Sequence, residues 1–134
     1  MPRINIHGVF MNIAKEISEL SYAQRRKVGA ILVKKGNIIA MGYNGTAKGL
    51  DNQCEIDNVT KPEVLHAESN AISKCARSTN SSKNCDLYVT LSPCYECSKL
   101  IVQSGIKHVY YREEYRDLSG IDLLNRCGIK TTQI

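Results

Sequence analysis

Twice in its last third the chain runs a helix-like stretch into Gly-Ile-Lys and then into a β-rich segment: Gly105-Ile106-Lys107 before residues 108–111, and Gly128-Ile129-Lys130 before the C-terminal residues. A glycine just past a helix end adopts the left-handed conformation that closes the helix, so each repeat predicts an αβ connection. Strands separated by helices imply parallel neighbours, because a parallel pair needs a crossover. Upstream the pattern differs. Residues 28–33 and 38–43 are short β-rich runs separated by Lys34-Lys35-Gly36-Asn37, and a Gly36-Asn37 turn predicts an antiparallel hairpin.

The remaining elements follow from periodicity. Ile6, Phe10, Ile13, Ile17 and Leu20 recur at helical spacing and predict an amphipathic helix over 6–20. A second helix is predicted over 65–77, with Ala67, Ala71, Ile72 and Cys75 facing inward. Residues 87–91 read as a strand. Ser92-Pro93 then supplies an N-cap and a first-turn proline for a third helix ending at Gly105, and a fourth helix is predicted over 116–126. Residues 44–61 are polar and read as a long loop, a feature that is usually functional. The order α-β-β-α-β-α-β-α-β predicts an α/β fold, a three-layer α-β-α sandwich around a mixed five-stranded sheet. With 134 residues, and no repeat or linker, the expectation is a single domain spanning 1–134.

Composition narrows the class. An apolar fraction of 43% with 23% charged residues excludes collagen-like and disordered chains. The longest apolar runs, at 30–33 and 38–41, fall far short of the roughly 20 residues of a membrane span, so no membrane association is expected. Arg3 and His7 precede no long apolar region, which argues against an export signal and for a cytoplasmic chain. The net charge of +5 is scattered except at residues 24–27, and a small anionic ligand satisfies it as well as nucleic acid does. Six cysteines in a chain with no export signal are expected to be reduced thiols.

Chemistry concentrates in His66-Ala67-Glu68 and Pro93-Cys94-Tyr95-Glu96-Cys97. Cys94 and Cys97 stand three residues apart in the first turn of a helix, so both sulfurs can share a side, and the positive helix end favours thiolates. His66 begins the preceding helix and can add a nitrogen. Three such donors select zinc over magnesium or calcium, and a tetrahedral ion with three protein ligands keeps a corner for water. Glu68 lies two residues from His66, a spacing that diverges on a helix, so it is expected to handle protons beside the metal. Two other readings stay open. The CxxC can be a redox pair, or half of a four-ligand staple completed by Cys54, Cys75, Cys85 or His108.

His-Ala-Glu with Pro-Cys-x-x-Cys is the signature of zinc deaminases acting on nucleobases. Within them the chain most resembles deoxycytidylate (dCMP) deaminases, and its compactness is similar to viral and phage members. The resemblance runs through residues 25–30, 42–46, 54–55, 64–72 and 88–94. It implies zinc-dependent hydrolysis of dCMP to dUMP and ammonia, supplying dUMP for thymidylate synthesis, with dCTP as a further substrate of some viral relatives. An activated water attacks C4, and Glu68 takes its proton and returns protons to N3 and the departing amine. It further implies that the Ser92 carbonyl accepts from the exocyclic amine, that the Ala67 N–H donates to the base carbonyl, and that Asn44 holds the sugar hydroxyl.

Phosphate candidates are Arg25, Arg26 and Arg112, with Arg116 beyond them, and Tyr111 is a candidate ring-packing residue. Gly42, Tyr43, Gly45 and Thr46 form the stretch that relatives associate with activation by dCTP and inhibition by dTTP. Magnesium often accompanies the triphosphate, and homohexamers are common. No nucleic-acid partner is expected. The rival readings are a deaminase of tRNA adenosine or single-stranded DNA cytosine, which needs an extended basic, aromatic surface, and a non-enzymatic zinc-stabilised interaction module. Cys54, Cys75, Cys85 and Cys127 are expected to be small buried or half-buried side chains, and His7 and His108 carry no assigned role.

Overall fold

The computed structural model describes residues 5–134, so Arg3, invoked above against an export signal, lies outside the described residues. Among the described residues there are four helices: α1 (Ile6–Ser18), α2 (Ala67–Ala76), α3 (Tyr95–Gln103) and α4 (Ser119–Arg126). The main strands are β1 (Gly29–Lys34), β2 (Asn37–Tyr43), β7 (Asp86–Leu91), β8 (His108–Glu113) and β9 (Lys130–Gln133). Four two-residue strands lie between them: β3 (Gly45–Thr46), β4 (Glu55–Ile56), β5 (Val59–Thr60) and β6 (Val64–Leu65). The 44–61 segment is therefore no plain loop. Its β4 and β5 form one small antiparallel ribbon, and its β3 forms a second with β6 just beyond it.

The five main strands form one mixed sheet in the order β2-β1-β7-β8-β9. β1 is antiparallel to both β2 and β7, whereas β7–β8 and β8–β9 are parallel. The unit β2-α2-β7 is thus a crossover between parallel strands that straddles β1. The β1–β2 turn falls on Lys35-Gly36, one residue earlier than the sequence suggests, with φ of 50° and 79°. Two positive φ values in a two-residue loop are what the right-handed twist of a hairpin demands. Gly105 and Gly128 have φ of 81° and 82°, so the repeated Gly-Ile-Lys endings are left-handed helix closures as expected.

Alternation along the strands sends side chains to two cores, which makes the three layers. Ala30, Leu32, Leu87, Val89 and Val109 pack beneath α2, α3 and α4. Ile31, Val33, Tyr88 and Tyr110 pack against α1 through Phe10, Met11 and Ala14. The buried stripe of α1 is Phe10, Met11, Ala14 and Ser18, displaced from the predicted one, and Ile6 and Leu20 are exposed. The small Ala14 and Ser18 mark where the helix comes closest to the sheet. On this face His7 Nδ1 meets the Tyr88 hydroxyl at 2.6 Å, and His108 Nε2 meets Thr132 Oγ1 at 2.8 Å. No helix among the described residues is long and apolar enough to cross a membrane.

Candidate metal centre and cleft

Both chemistry-bearing motifs sit at helix N-termini on the α2–α4 face. His66 is the N-cap of α2 and Cys94 the N-cap of α3, a correction to the Ser92-Pro93 start read from the sequence. Cys94 Sγ accepts the N–H of Cys97 at 3.4 Å, so the sulfur itself caps the helix. The structure brings His66 Nδ1 to 3.5 Å from Cys94 Sγ and 3.2 Å from Cys97 Sγ. Donors about 2.0 to 2.3 Å from a tetrahedral zinc centre lie roughly 3.5 to 3.8 Å apart, so the two His66–sulfur distances match a zinc site to within a few tenths of an ångström, and all three donor atoms lie within 4.8 Å of one another. Among the described residues this is the one group of three or more His, Cys, Asp or Glu donors with such spacing.

Cys54, Cys75 and Cys85 lie buried away from that cluster, and His108 stacks on Tyr110, so none completes a four-ligand staple. Cys127 is exposed, against the expectation of a half-buried thiol.

The electrostatics suit a soft cation. The Cys94 thiol is drawn down to about 4, first by the hydrogen bond from Cys97 and then by the one to His66. Cys97, as the partner that keeps its proton, is pushed up. His66 is raised, chiefly by its bond to Cys94. Glu68 is 4% exposed, and burial pushes its carboxyl up from 4.5 to about 7. It stays outside the donor cluster while lining the same cleft as His66 and Cys94.

A bound ion is expected to contribute to folding, because ligand binding to the native state alone adds about 2.7 kcal/mol at a hundredfold excess over Kd. Removing it with a chelator should lower Tm by on the order of 10 °C. Metal analysis should give one zinc per chain in the native protein and none in Cys97→Ala; an unchanged metal content in that variant would contradict the donor assignment.

The cleft has a volume of about 590 Å³. Glu68, Ala67, Ser92, Asn44, Arg25 and Arg26 all line it. The His66 side chain makes no capping hydrogen bond, so the Ala67 N–H is one of the helix's orphan donors. Ser92 is anchored twice: its N–H donates to Glu113 O at 2.8 Å and its Oγ accepts the Tyr115 N–H at 2.7 Å. Asn44 does more structural work than expected. Its Oδ1 accepts the Val28 N–H at 2.9 Å and its Nδ2 donates to Arg26 O at 2.8 Å, which leaves one amide hydrogen. Arg26 pairs with Glu113, while Arg25 Nη1 lies 3.4 Å from Thr60 Oγ1.

Tyr111 and Arg112 do not line this cleft. Tyr111 is 9% exposed and packs into the core, and Arg112, on the opposite face of β8, donates to Asn12 Oδ1 of α1 at 3.1 Å. The position past β8 that does reach the cleft is Tyr115-Arg116. Only the alternation of β8 could have signalled this, since consecutive residues there face opposite cores. Ala23, Glu55, Thr60 and Glu114 also line the cleft with no signal in local sequence.

A second hollow of about 340 Å³ is lined by Tyr43, Gly45 and Thr46 together with Lys48, Lys74 and Arg77. It shares Cys54 with the wall of the first cleft. Gly42 is not among its lining residues: it backs directly onto α2.

The family model for the cytidine and deoxycytidylate deaminase zinc-binding region matches residues 4–113. The chain is 33% identical to the deoxycytidylate deaminase of Enterobacteria phage T4, over 92% of this chain and 87% of that one. It is 35% identical to the deoxycytidylate deaminase of Saccharomyces cerevisiae over 92% of its own length, but spans 43% of the yeast protein. Among solved structures it superposes with a TM-score of 0.95, at 45% identity and over 100% of both chains, on the dCMP deaminase of the cyanophage S-TIM5 in complex with dCMP and dUMP.

Proposed function

The chain belongs to the cytidine and deoxycytidylate deaminase zinc-binding family, and from that membership we propose that it hydrolyses dCMP to dUMP with release of ammonia. The observation that carries this reading is Glu68, a buried acid poised near neutrality that lines the same cleft as the His66/Cys94/Cys97 donors without joining them. The full-length likeness to a cyanophage enzyme crystallised with dCMP and dUMP supports the choice of substrate.

Zinc held by His66, Cys94 and Cys97 would supply a Lewis-acidic corner at which water becomes acidic near neutral pH. Glu68 takes the proton of the attacking water on a carboxylate oxygen, then delivers protons to N3 and to the amino nitrogen as the C4–N bond breaks. The Ser92 carbonyl accepts from the exocyclic amine, and the Ala67 N–H donates to the base carbonyl. The remaining hydrogen of the Asn44 amide reaches the sugar hydroxyl. Arg25, Arg26 and Arg116 face the 5′-phosphate.

We further propose that the second hollow takes dCTP or dTTP, with Lys48, Lys74 and Arg77 on the triphosphate and magnesium accompanying it. Cys54, common to both walls, gives occupancy there a direct route to the cleft. One deaminase domain over 1–134, a homohexameric assembly, a cytoplasmic location and some turnover of dCTP complete the proposal. A steady-state panel of dCMP, dCTP, cytidine and a single-stranded oligonucleotide, followed by ammonia release with and without dCTP and dTTP, tests it. Turnover of dCMP, raised by dCTP and lowered by dTTP, is expected; turnover of the oligonucleotide alone would overturn the substrate assignment.

A further inference from the structure

One carboxylate in the cleft wall is spent entirely on backbone. Glu55 Oε2 accepts the N–H of Gln24 at 3.0 Å and that of Arg25 at 3.1 Å. Two successive N–H groups converging on one oxygen form an anion nest, here filled by the chain's own side chain from some 30 residues downstream. Across the β4–β5 ribbon, Glu55 is the register partner of Thr60, whose hydroxyl lies 3.4 Å from Arg25 Nη1. The ribbon therefore holds Arg25 at two points, its N–H through Glu55 and its guanidinium through Thr60. Residues 21–28 belong to no helix or strand, so side chains must set their course. Asn44 ties the far end through Arg26 O and Glu55 ties the near end.

Simple electrostatics predicts the opposite of a benefit. A carboxylate lining a cleft that receives a phosphate dianion repels it. If Glu55 acted only through its charge, removing it would tighten nucleotide binding. If it acts by holding the loop, removing it frees Arg25 and Arg26 to leave the cleft wall, and binding weakens. Hydrogen bonds from backbone N–H to a carboxylate are among the stronger ones, whereas charges at an open, hydrated cleft wall are screened. The loop-holding effect therefore dominates.

We propose that Glu55 is a positioning residue that fixes the arginine-bearing loop and thereby sets the preference of the cleft for a 5′-phosphorylated nucleotide over the free nucleoside. This rests on the reading of the cleft as a dCMP site. The test compares kcat and KM for dCMP and for deoxycytidine in the wild type, Glu55→Ala, Glu55→Gln and Thr60→Val. Glu55→Ala should raise KM for dCMP by roughly tenfold or more. Its kcat for dCMP and its kcat/KM for deoxycytidine should hardly move. Glu55→Gln, whose amide oxygen still accepts, should recover most of the loss, and Thr60→Val should give a smaller rise of the same kind. A lower or unchanged KM for dCMP, or a parallel decline with both substrates, overturns the proposal. If Glu55→Ala does not fold, Glu55→Gln and Thr60→Val decide by the same split between substrates. A wild type inactive on dCMP would instead overturn the substrate reading on which the inference stands.

Discussion

Glu68→Gln is expected to lower kcat for dCMP about 10³-fold or more, with one zinc per chain and a nucleotide affinity within a few-fold of the wild type. The size follows from what the carboxyl does twice in a turnover. Positioned proton transfer contributes about 10² to 10⁴-fold, and the amide can neither take the proton of water nor return it to N3 and the leaving amine. Zinc should survive because Glu68 is not one of the clustered donors. Metal analysis and a binding isotherm on the purified variant separate this outcome from the zinc-stabilised module. Loss of zinc would favour the module, and full activity would remove Glu68 from the proton path.

The same substitution should stabilise the metal-free protein in a pH-dependent way. Burial raises the Glu68 carboxyl from 4.5 to about 7, so between those values the folded chain holds a proton that the unfolded chain releases. Stability from this group is fully present below the unfolded value and is lost as pH rises through 7. Above that, folding must bury a charge at a penalty of roughly 3 kcal/mol. After chelation, Glu68→Gln should therefore be more stable than wild type at pH 8 by about that amount, with the difference gone near pH 4. Denaturant melts at the two pH values measure it. A gap that widens toward acid would contradict the burial argument.

The local parts of the fold and site were legible because their causes are local. Gly105 and Gly128 announce helix closure through backbone conformation alone, and the i, i+3 thiols place themselves once α3 begins. The sandwich followed from counting αβ connections. What escaped depends on pairing across the fold. Two-residue strands such as β3 and β5 are shorter than any periodicity that could reveal them. The cleft wall joins Arg25, Thr60, Ser92 and Arg116, whose proximity comes from tertiary packing, so local sequence offers Arg112 and Arg116 alike as phosphate candidates. The structure separates that pair: Arg112 turns to α1 and Arg116, past the strand end, reaches the cleft. Asn44 reads as a sugar ligand in the sequence, yet half of its side-chain hydrogen-bonding capacity goes to Arg26 and Val28.

The glycines of the 42–46 stretch illustrate how one motif can carry two physical roles, and they support a second large expected effect. A Cβ on Gly42 would lie 2.5 Å from Ala67 O, 2.5 Å from Ala71 N and 3.1 Å from Ala71 Cα. These are backbone atoms of α2, so no side-chain rotation relieves them, and the helix must withdraw from β2 by about an ångström to reach ordinary contact. Overpacking of this kind costs about 1 to 3 kcal/mol. Because His66 caps α2 and Glu68 lies in its first turn, the same shift draws both away from the thiols of α3. A misplacement of about 1 Å can cost 10²-fold in rate, so Gly42→Ala should lose about that much activity and hold zinc less tightly. Gly45→Ala is the matched control. Its Cβ would meet only Tyr43 Cε2 at an ordinary 3.9 Å, so stability and zinc content should be near those of the wild type. Thermal melts, zinc titration and dCMP turnover on the two variants make the comparison. Equal behaviour would mean that β2 and α2 do not need a glycine between them.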